Sequence, residues 1–298
     1  MDETLPIAPK VAVILIARDQ AADLRRALQA LAGSENRESM EILVVDCASH
    51  DETAAVADEF PGVTVQRLPQ NFGATKALNI ATRTARADFL FLLSPDVEVE
   101  PRTVARLAEQ LEANPDTAAV CPLWMDESGQ VIARTRRFPD REALAPVRAG
   151  GELPWVPIPA ETLAQEQCVI LYPGRESLMV RKQFVAGMNY FDERFGEYGA
   201  DADLACQIRR AGKRIRLYTG IRATWHGAGK TSSEDVVHKS DRILAAATLL
   251  GKHTGFLAGF GFRWGAIFTA LIHLDFSLFS ALLGGAKLGS EASRSYPT

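Results

Sequence analysis

The stretch DFLFLLSPDVEVEP, Asp88 to Pro101, decides how this chain is read. Its apolar run, Phe89 to Leu93, has no polar alternation. That pattern predicts a strand buried on both faces, as in a parallel sheet covered by helices. Directly after it stand Asp96, Glu98 and Glu100. A core strand that ends in acid points to a polar task at its carboxyl end.

Outward from this stretch the pattern repeats. VAVILI (Val11 to Ile16) precedes a helical stripe of Leu24, Leu28 and Leu31, and EILVV (Glu41 to Val45) precedes a helix predicted to open at Ser49. There Ser49 and Glu52 have the spacing of a capping box, each able to satisfy an orphan backbone donor of the other. VTVQRL (Val63 to Leu68), a helical stretch around Leu78, and a helix around Val104, Leu107 and Leu111 complete the alternation. Strand and helix in turn imply crossover connections and a mostly parallel sheet. Ligands of such sheets bind beyond the carboxyl ends of the strands.

Those ends read IARD, DCASHD and SPDVEVE, and they carry Asp19, then Asp46 and Asp51, then Asp96 and Glu98. Singly, each is an ordinary turn or N-cap residue. Together on one sheet edge they repel, unless a cation or a hydrogen-bonding ligand sits among them.

The 298 residues are 47% apolar, ample for a packed core, and the net charge of −4 leaves no broad basic footprint for nucleic acid. Cys47, Cys121, Cys168 and Cys206 are scattered, with neither zinc-site spacing nor disulfide-scaffold density, which fits a reducing, cytoplasmic setting. The opening MDETLPIAPK has no basic region followed by an apolar one, so no secretion signal is expected. Internal repeats are absent.

From Arg134 to Gln167 the chain turns basic and then rich in Pro and Gly, which predicts a long irregular binding loop. ESLMVRK follows as a strand. A helix then opens at Asp201 and Asp203, buries Leu204, Ala205 and Ile208, and stops at Gly212. Acids in its first turn suit the helix dipole on their own.

Taken in order and at their spacing, EILVVDCASHDETAAVA, NFGATKALNIATRTARADFLFLLSPDVEVEP, FDERFGEYGADADLACQIRRAGKRI and TWHGAGKTS resemble the family 2 inverting glycosyltransferases, and among them the rhamnosyltransferase-like branch. The likeness covers most of Val11 to Ser233. It implies an α/β fold of GT-A type: a mostly parallel nucleotide-binding sheet flanked by helices over residues 1–235, and a helical, apolar tail over 236–298. It further implies a nucleotide-sugar donor, with dTDP-rhamnose a candidate, and a surface polysaccharide or lipid-linked glycan as acceptor.

A departing diphosphate gathers negative charge that a divalent metal can stabilise, and oxygen ligands suit Mg²⁺ or Mn²⁺. The resemblance makes Asp96 the principal ligand, Glu98 a supporting acid, and His226 a residue near the metal or diphosphate. It gives Asp46 the nucleotide base, Ala17 and Asp19 the nucleoside cradle, Asp201 the role of general base, and Asp203 a substrate contact. Ala200 departs from the family's usual Glu, LIARDQ from its usual Tyr-Asn, and Cys47 and Ser94 stand where Asn is common. These departures motivate an alternative of another class, a non-catalytic nucleotide-sugar-binding or scaffold protein. A sugar-phosphate nucleotidylyltransferase is set aside, since IARDQAADL has no glycine to grip phosphates.

Thr254 to Ala286 is strongly apolar but interrupted by Arg263, His273 and Asp275, so a clean membrane span is not expected. Helices that pack on the catalytic domain or on a second subunit, or that lie on a bilayer, are expected instead. The resemblance favours peripheral contact with the cytoplasmic membrane face.

Overall fold

The computed structural model describes residues 8–227 and 235–291. The first seven residues and the Ala228–Ser232 part of the TWHGAGKTS motif lie outside the described residues. The N-terminal part runs β1 (Val11–Ala17), α1 (Ala21–Ala32), β2 (Met40–Asp46), α2 (Thr53–Asp58), β3 (Val63–Arg67), α3 (Ala74–Thr84), β4 (Phe89–Leu93), β5 (Val97–Val99) and α4 (Thr103–Ala113). There follow β6 (Thr117–Met125), β7 (Arg134–Arg136), β8 (Trp155–Pro157), α5 (Ala160–Leu163), β9 (Gln167–Ile170), β10 (Ser177–Arg181), α6 (Lys182–Gly187), α7 (Ala200–Arg210) and β11 (Arg214–Trp225). The tail is α8 (Val236–His253), α9 (Phe256–Ile272) and α10 (Phe276–Gly284).

The main sheet has the order β3-β2-β1-β4-β10-β6-β11-β5, with β9 alongside β11. Its first four strands are parallel, while β10 runs antiparallel to both β4 and β6. Helices cover both faces, and the side chains divide as the period of two demands. Along β4, Phe89, Phe91 and Leu93 join the core that includes α1 and α4, whereas Leu90 and Leu92 join the one that includes α3, α7 and α8. The apolar run at the head of the opening stretch is therefore a strand buried on both faces, as its composition predicts.

One local expectation fails, and a second holds in part. No capping box forms at Ser49, because DCASHD holds two strand ends together instead. Ser49 donates to Asp46 and accepts from the Asp19 backbone N–H, so α2 begins later, at Thr53. Asp51 takes over the capping, accepting from the N–H groups of Thr53 (2.9 Å) and Ala21 (3.1 Å) at the starts of both α2 and α1. The predicted irregular loop is irregular over more than half its length but carries short elements: β7 and β8 pair antiparallel, Pro146–Ala149 forms a 3₁₀ turn, and β9, which starts at its end, joins the main sheet. Its basic and aromatic residues pack together, with the Arg136 guanidinium 3.9 Å from the Trp155 ring centre.

No helix among the described residues is long and apolar enough to cross a membrane.

Candidate active site

The strand order reverses between β1 and β4: β2 and β3 lie to one side of β1, β4 to the other. The crevice above such a reversal is where α/β sheets bind ligands. A cavity of about 520 Å³ opens there, lined by Ala17, Arg18, Gln20, Cys47, Asn71 and Ser94 among others. Burial, with Glu197 nearby, pushes the Cys47 thiol up to about 12, so it meets a ligand as a neutral group. A second cavity of about 390 Å³ adjoins it, lined by Asp96, Arg136, Tyr172, Asp201, Trp225 and Arg242 among others. Ser94, Arg175, Glu197 and His238 border both.

The shared wall is rigid. Arg175 donates to Glu197 (2.5 Å), whose other carboxylate oxygen accepts the Ala74 N–H (2.9 Å) at the start of α3. Gly73 and Gly196 pack so closely that a β-carbon on Gly73 would lie 2.8 Å from the Gly196 carbonyl carbon. The NFGA turn before α3 and the FGEYG turn before α7 are thereby locked to each other.

Asp96 sits in the turn between β4 and β5, and that turn is why the opening stretch ends in acid. The Ser94 carbonyl accepts the Val97 N–H (3.0 Å), so the chain reverses and brings the Asp96 carboxylate to the cavity wall. Trp225 donates its indole N–H to Asp96 Oδ2 (3.3 Å). A β-carbon at Gly227 would come within 1.8 Å of the same oxygen, so only glycine fits beneath it. Asp96 Oδ1 is buried and has no hydrogen-bond partner among the described residues. An orphaned, buried carboxylate oxygen on a residue that lines a cavity suits a bound cation, so Asp96 fits the metal role expected of it.

Glu98 and His226 are placed differently. His226 lies between two carboxylates, with Nδ1 2.7 Å from Glu127 and Nε2 3.0 Å from Glu98. Only its backbone N–H reaches Asp96, at the carbonyl oxygen (2.9 Å). Asp96, Glu98 and His226 therefore do not form a joint ligand set. Among the described residues no three His, Cys, Asp or Glu side chains are arranged to hold a metal.

Asp201 lines the second cavity from the first turn of α7, and Tyr172 donates to its Oδ2 (2.6 Å). Ala17 lines the first cavity. Asp46, at the end of β2 beside Cys47, is buried and accepts from the Ser49 N–H (3.2 Å) and hydroxyl. Asp19 has a positive φ of 52° and accepts the His50 N–H (2.6 Å), so its carboxylate braces the loop instead of lining the cavity.

Asp203 departs furthest from expectation. It is fully buried and takes Lys252 (2.8 Å) and His253 (2.6 Å) from the end of α8. It ties α7 to the tail and does not line either cavity. A side chain two positions beyond Asp201 points about 200° further around the helix, away from the cavity that Asp201 faces. Ala200 is buried in the core below Asp201, so the missing glutamate is replaced by packing and not by open space.

Sequence reasoning missed Tyr172, Arg175, Glu197 and His238. Glu197 stood within a quoted motif, one turn before the acidic helix, and was open to being found. The others come from segments brought to the site by β10 and α8, with no local pattern to mark them.

A sequence model described as "Glycosyl transferase family 2" matches residues 12–163. The "N-acetylglucosaminyl-diphospho-decaprenol L-rhamnosyltransferase" of Mycobacterium tuberculosis is 24% identical over 245 residues, 76% of this chain and 79% of that protein. The "O-antigen biosynthesis protein RfbC" of Myxococcus xanthus is 25% identical over 258 residues, 80% of this chain but 19% of that one. Among solved structures, a mannosyltransferase of Pyrobaculum calidifontis in complex with GDP-Man and Mn²⁺ superposes with a TM-score of 0.57 at 16% identity, covering 98% of this chain and 81% of that one. GalNAc-T7 with UDP, GalNAc and Mn²⁺ gives 0.59 at 16% identity, covering 81% of this chain and 48% of that one, so this chain spans about half its length. These two likenesses establish the GT-A type of fold.

Proposed function

This chain belongs to glycosyl transferase family 2, and from that footing we infer an inverting, metal-dependent transferase that moves a sugar from a nucleoside-diphosphate donor to a lipid-linked glycan. Rhamnose is the donor sugar the reading favours, because the Mycobacterium tuberculosis relative is named a rhamnosyltransferase acting on a diphospho-decaprenol acceptor. One observation carries the catalytic part: Asp96, with an orphaned buried oxygen, and Asp201 line the same cavity, which shares a wall with the crevice at the β1/β4 reversal.

The nucleoside occupies the first cavity against Ala17, Cys47 and the end of β2 near Asp46. The diphosphate lies at the shared wall, facing Arg175 and His238. The acceptor enters the second cavity, where its hydroxyl gives up a proton to Asp201 as its oxygen attacks the anomeric carbon. The bond to the diphosphate breaks on the opposite face, and its electron pair leaves on the diphosphate oxygen. Asp96 would hold a divalent cation, Mg²⁺ or Mn²⁺, which would supply the positive charge that this departure calls for. Glu98 and His226, joined to each other and to Glu127, brace the β5 edge beside it.

The tail fits a peripheral place on a membrane. Phe256, Phe260, Trp264, Phe268 and Ile272 recur every fourth residue of α9 and are all at least half exposed. Such a row is able to rest on a bilayer in which a lipid-linked acceptor is anchored.

The test is a transfer assay with a panel of nucleotide sugars and a polyprenyl-diphosphate-linked acceptor, with Mn²⁺ and with EDTA. Transfer from one donor, lost with EDTA, is expected. Donor binding with no transfer to any acceptor would leave the scaffold reading standing instead.

A further inference from the structure

The second cavity holds a buried phenol that the reaction just described does not use. Tyr172 is 6% exposed, and its hydroxyl hydrogen bond to Asp201 Oδ2 is short at 2.6 Å. The residue is fixed from behind: its carbonyl accepts the Arg136 N–H (3.1 Å) and the Thr135 hydroxyl (2.6 Å), both from β7. Arg136 in turn reaches Glu176 (3.3 Å) and Glu152 (3.7 Å) and lies on the Trp155 ring. The basic segment beginning at Arg134 thus supports Tyr172 and lies one contact from the proposed base.

We propose that Tyr172 is a positioning residue for the transfer reaction, occupying Oδ2 of Asp201 and so presenting Oδ1 to the acceptor hydroxyl. The inference rests on Asp201 being the general base. A carboxylate has two equivalent oxygens and rotates unless one is engaged, and proton abstraction needs an oxygen at hydrogen-bond reach in one direction. A donor held by its own backbone anchors selects that oxygen. Burial and the neighbouring Asp201 raise the phenol well above its ordinary value, so it remains a donor across the working pH range. The charged groups bordering this pair in the cavity are Arg136, Arg175 and Glu176, with Asp96, Glu152, Glu197, His238 and Arg242 also lining it. Removing the phenol takes a hydrogen bond from the ionised form of Asp201 and leaves these charges in place.

The experiment compares the full-length protein with Tyr172→Phe, Asp201→Asn and the double variant. It measures donor affinity, kcat, KM for the acceptor, and the dependence of kcat on pH. Tyr172→Phe is expected to keep donor affinity and the acceptor KM, to lower kcat roughly tenfold or more, and to change the pH profile of kcat. In the Asp201→Asn background, adding Tyr172→Phe should change nothing further, since the two act through one oxygen atom. An unmoved kcat and pH profile in Tyr172→Phe, with Asp201→Asn inactive, overturns the positioning role and leaves the base assignment intact. Loss of donor affinity along with kcat also overturns it, marking Tyr172 as a structural strut. Full transfer by Asp201→Asn instead removes the base assignment, and the inference with it.

Discussion

Trp225 donates to Asp96 Oδ2 across 3.3 Å, while Asp96 Oδ1 has no partner among the described residues. The indole packs in a cluster with Trp124 and Trp155, whose ring centres lie 5.0 and 5.7 Å from it and 6.0 Å from each other. One oxygen of this carboxylate is therefore held and, under the proposed function, the other is left for a ligand.

Asp96→Ala should remove Mn²⁺-dependent binding of nucleoside diphosphate and leave the fold intact, since among the described residues the carboxylate makes a single side-chain hydrogen bond. Trp225→Phe should weaken the same binding by a smaller factor, because only the orienting donor is lost. Calorimetric titration of nucleoside diphosphate with and without Mn²⁺ reads both. Unchanged metal-dependent affinity in Asp96→Ala would return Asp96 to the status of a turn residue.

Asp203→Asn should act on stability and not on chemistry. The substitution takes the charge from a buried carboxylate that holds Lys252 and His253, though Lys252 keeps Asp192 at 3.0 Å. A loss of about 2–3 kcal/mol is expected, below that of a fully isolated buried pair because Lys252 retains this second partner. The urea midpoint should fall while transfer per folded molecule stays constant. A variant of full stability and reduced turnover would restore Asp203 to the site.

Asp241 on α8 should give the protein a pH-dependent stability. It is buried, accepts the N–H groups of Glu197 (2.8 Å) and Leu288 (3.0 Å), and so joins the tail to the wall between the cavities. Burial raises its carboxyl to about 7, with Glu197 raising and Lys287 lowering it. A raised carboxyl favours the folded state while protonated. Its contribution is complete below the unfolded value near 4 and is lost as pH rises through about 7. Asp241→Asn should therefore gain stability relative to the parent on going from pH 4.5 to pH 8, by about 1 kcal/mol or more. Parallel urea titrations at the two pH values decide it, and a constant difference would show that Asp241 titrates normally.

Phe260→Glu with Trp264→Glu should abolish binding to anionic vesicles if α9 rests on a bilayer. Phe256, Phe260 and Trp264 stack along the exposed face with ring centres 5.8 and 6.0 Å apart, and moving two such side chains out of an apolar phase costs roughly 1.5–3 kcal/mol each. Vesicle co-sedimentation should fall more than tenfold, with the circular dichroism spectrum unchanged. Equal sedimentation of parent and variant would place the contact elsewhere.

The sequence by itself determined the sheet and the position of its working edge. An unbroken apolar run such as Phe89 to Leu93 is stable only between two covered faces, and a turn after it leaves Asp96 at a strand end whatever lies further along the chain. The placing of Asp201 at the start of α7 is equally local, because it depends on one helix turn. Only the tertiary structure decided the rest. The capping expected of Ser49 went to Asp51, because Ser49 was claimed by Asp46 and Asp19, residues three and thirty positions away. Asp203 was claimed by Lys252 and His253, some fifty positions on. Tyr172 met Asp201 through a segment whose pattern predicted only a loop before it. A side chain's period tells which way it points along its own element; the partner it finds there is set by what the fold packs opposite, and that choice is made by groups with no pattern in common.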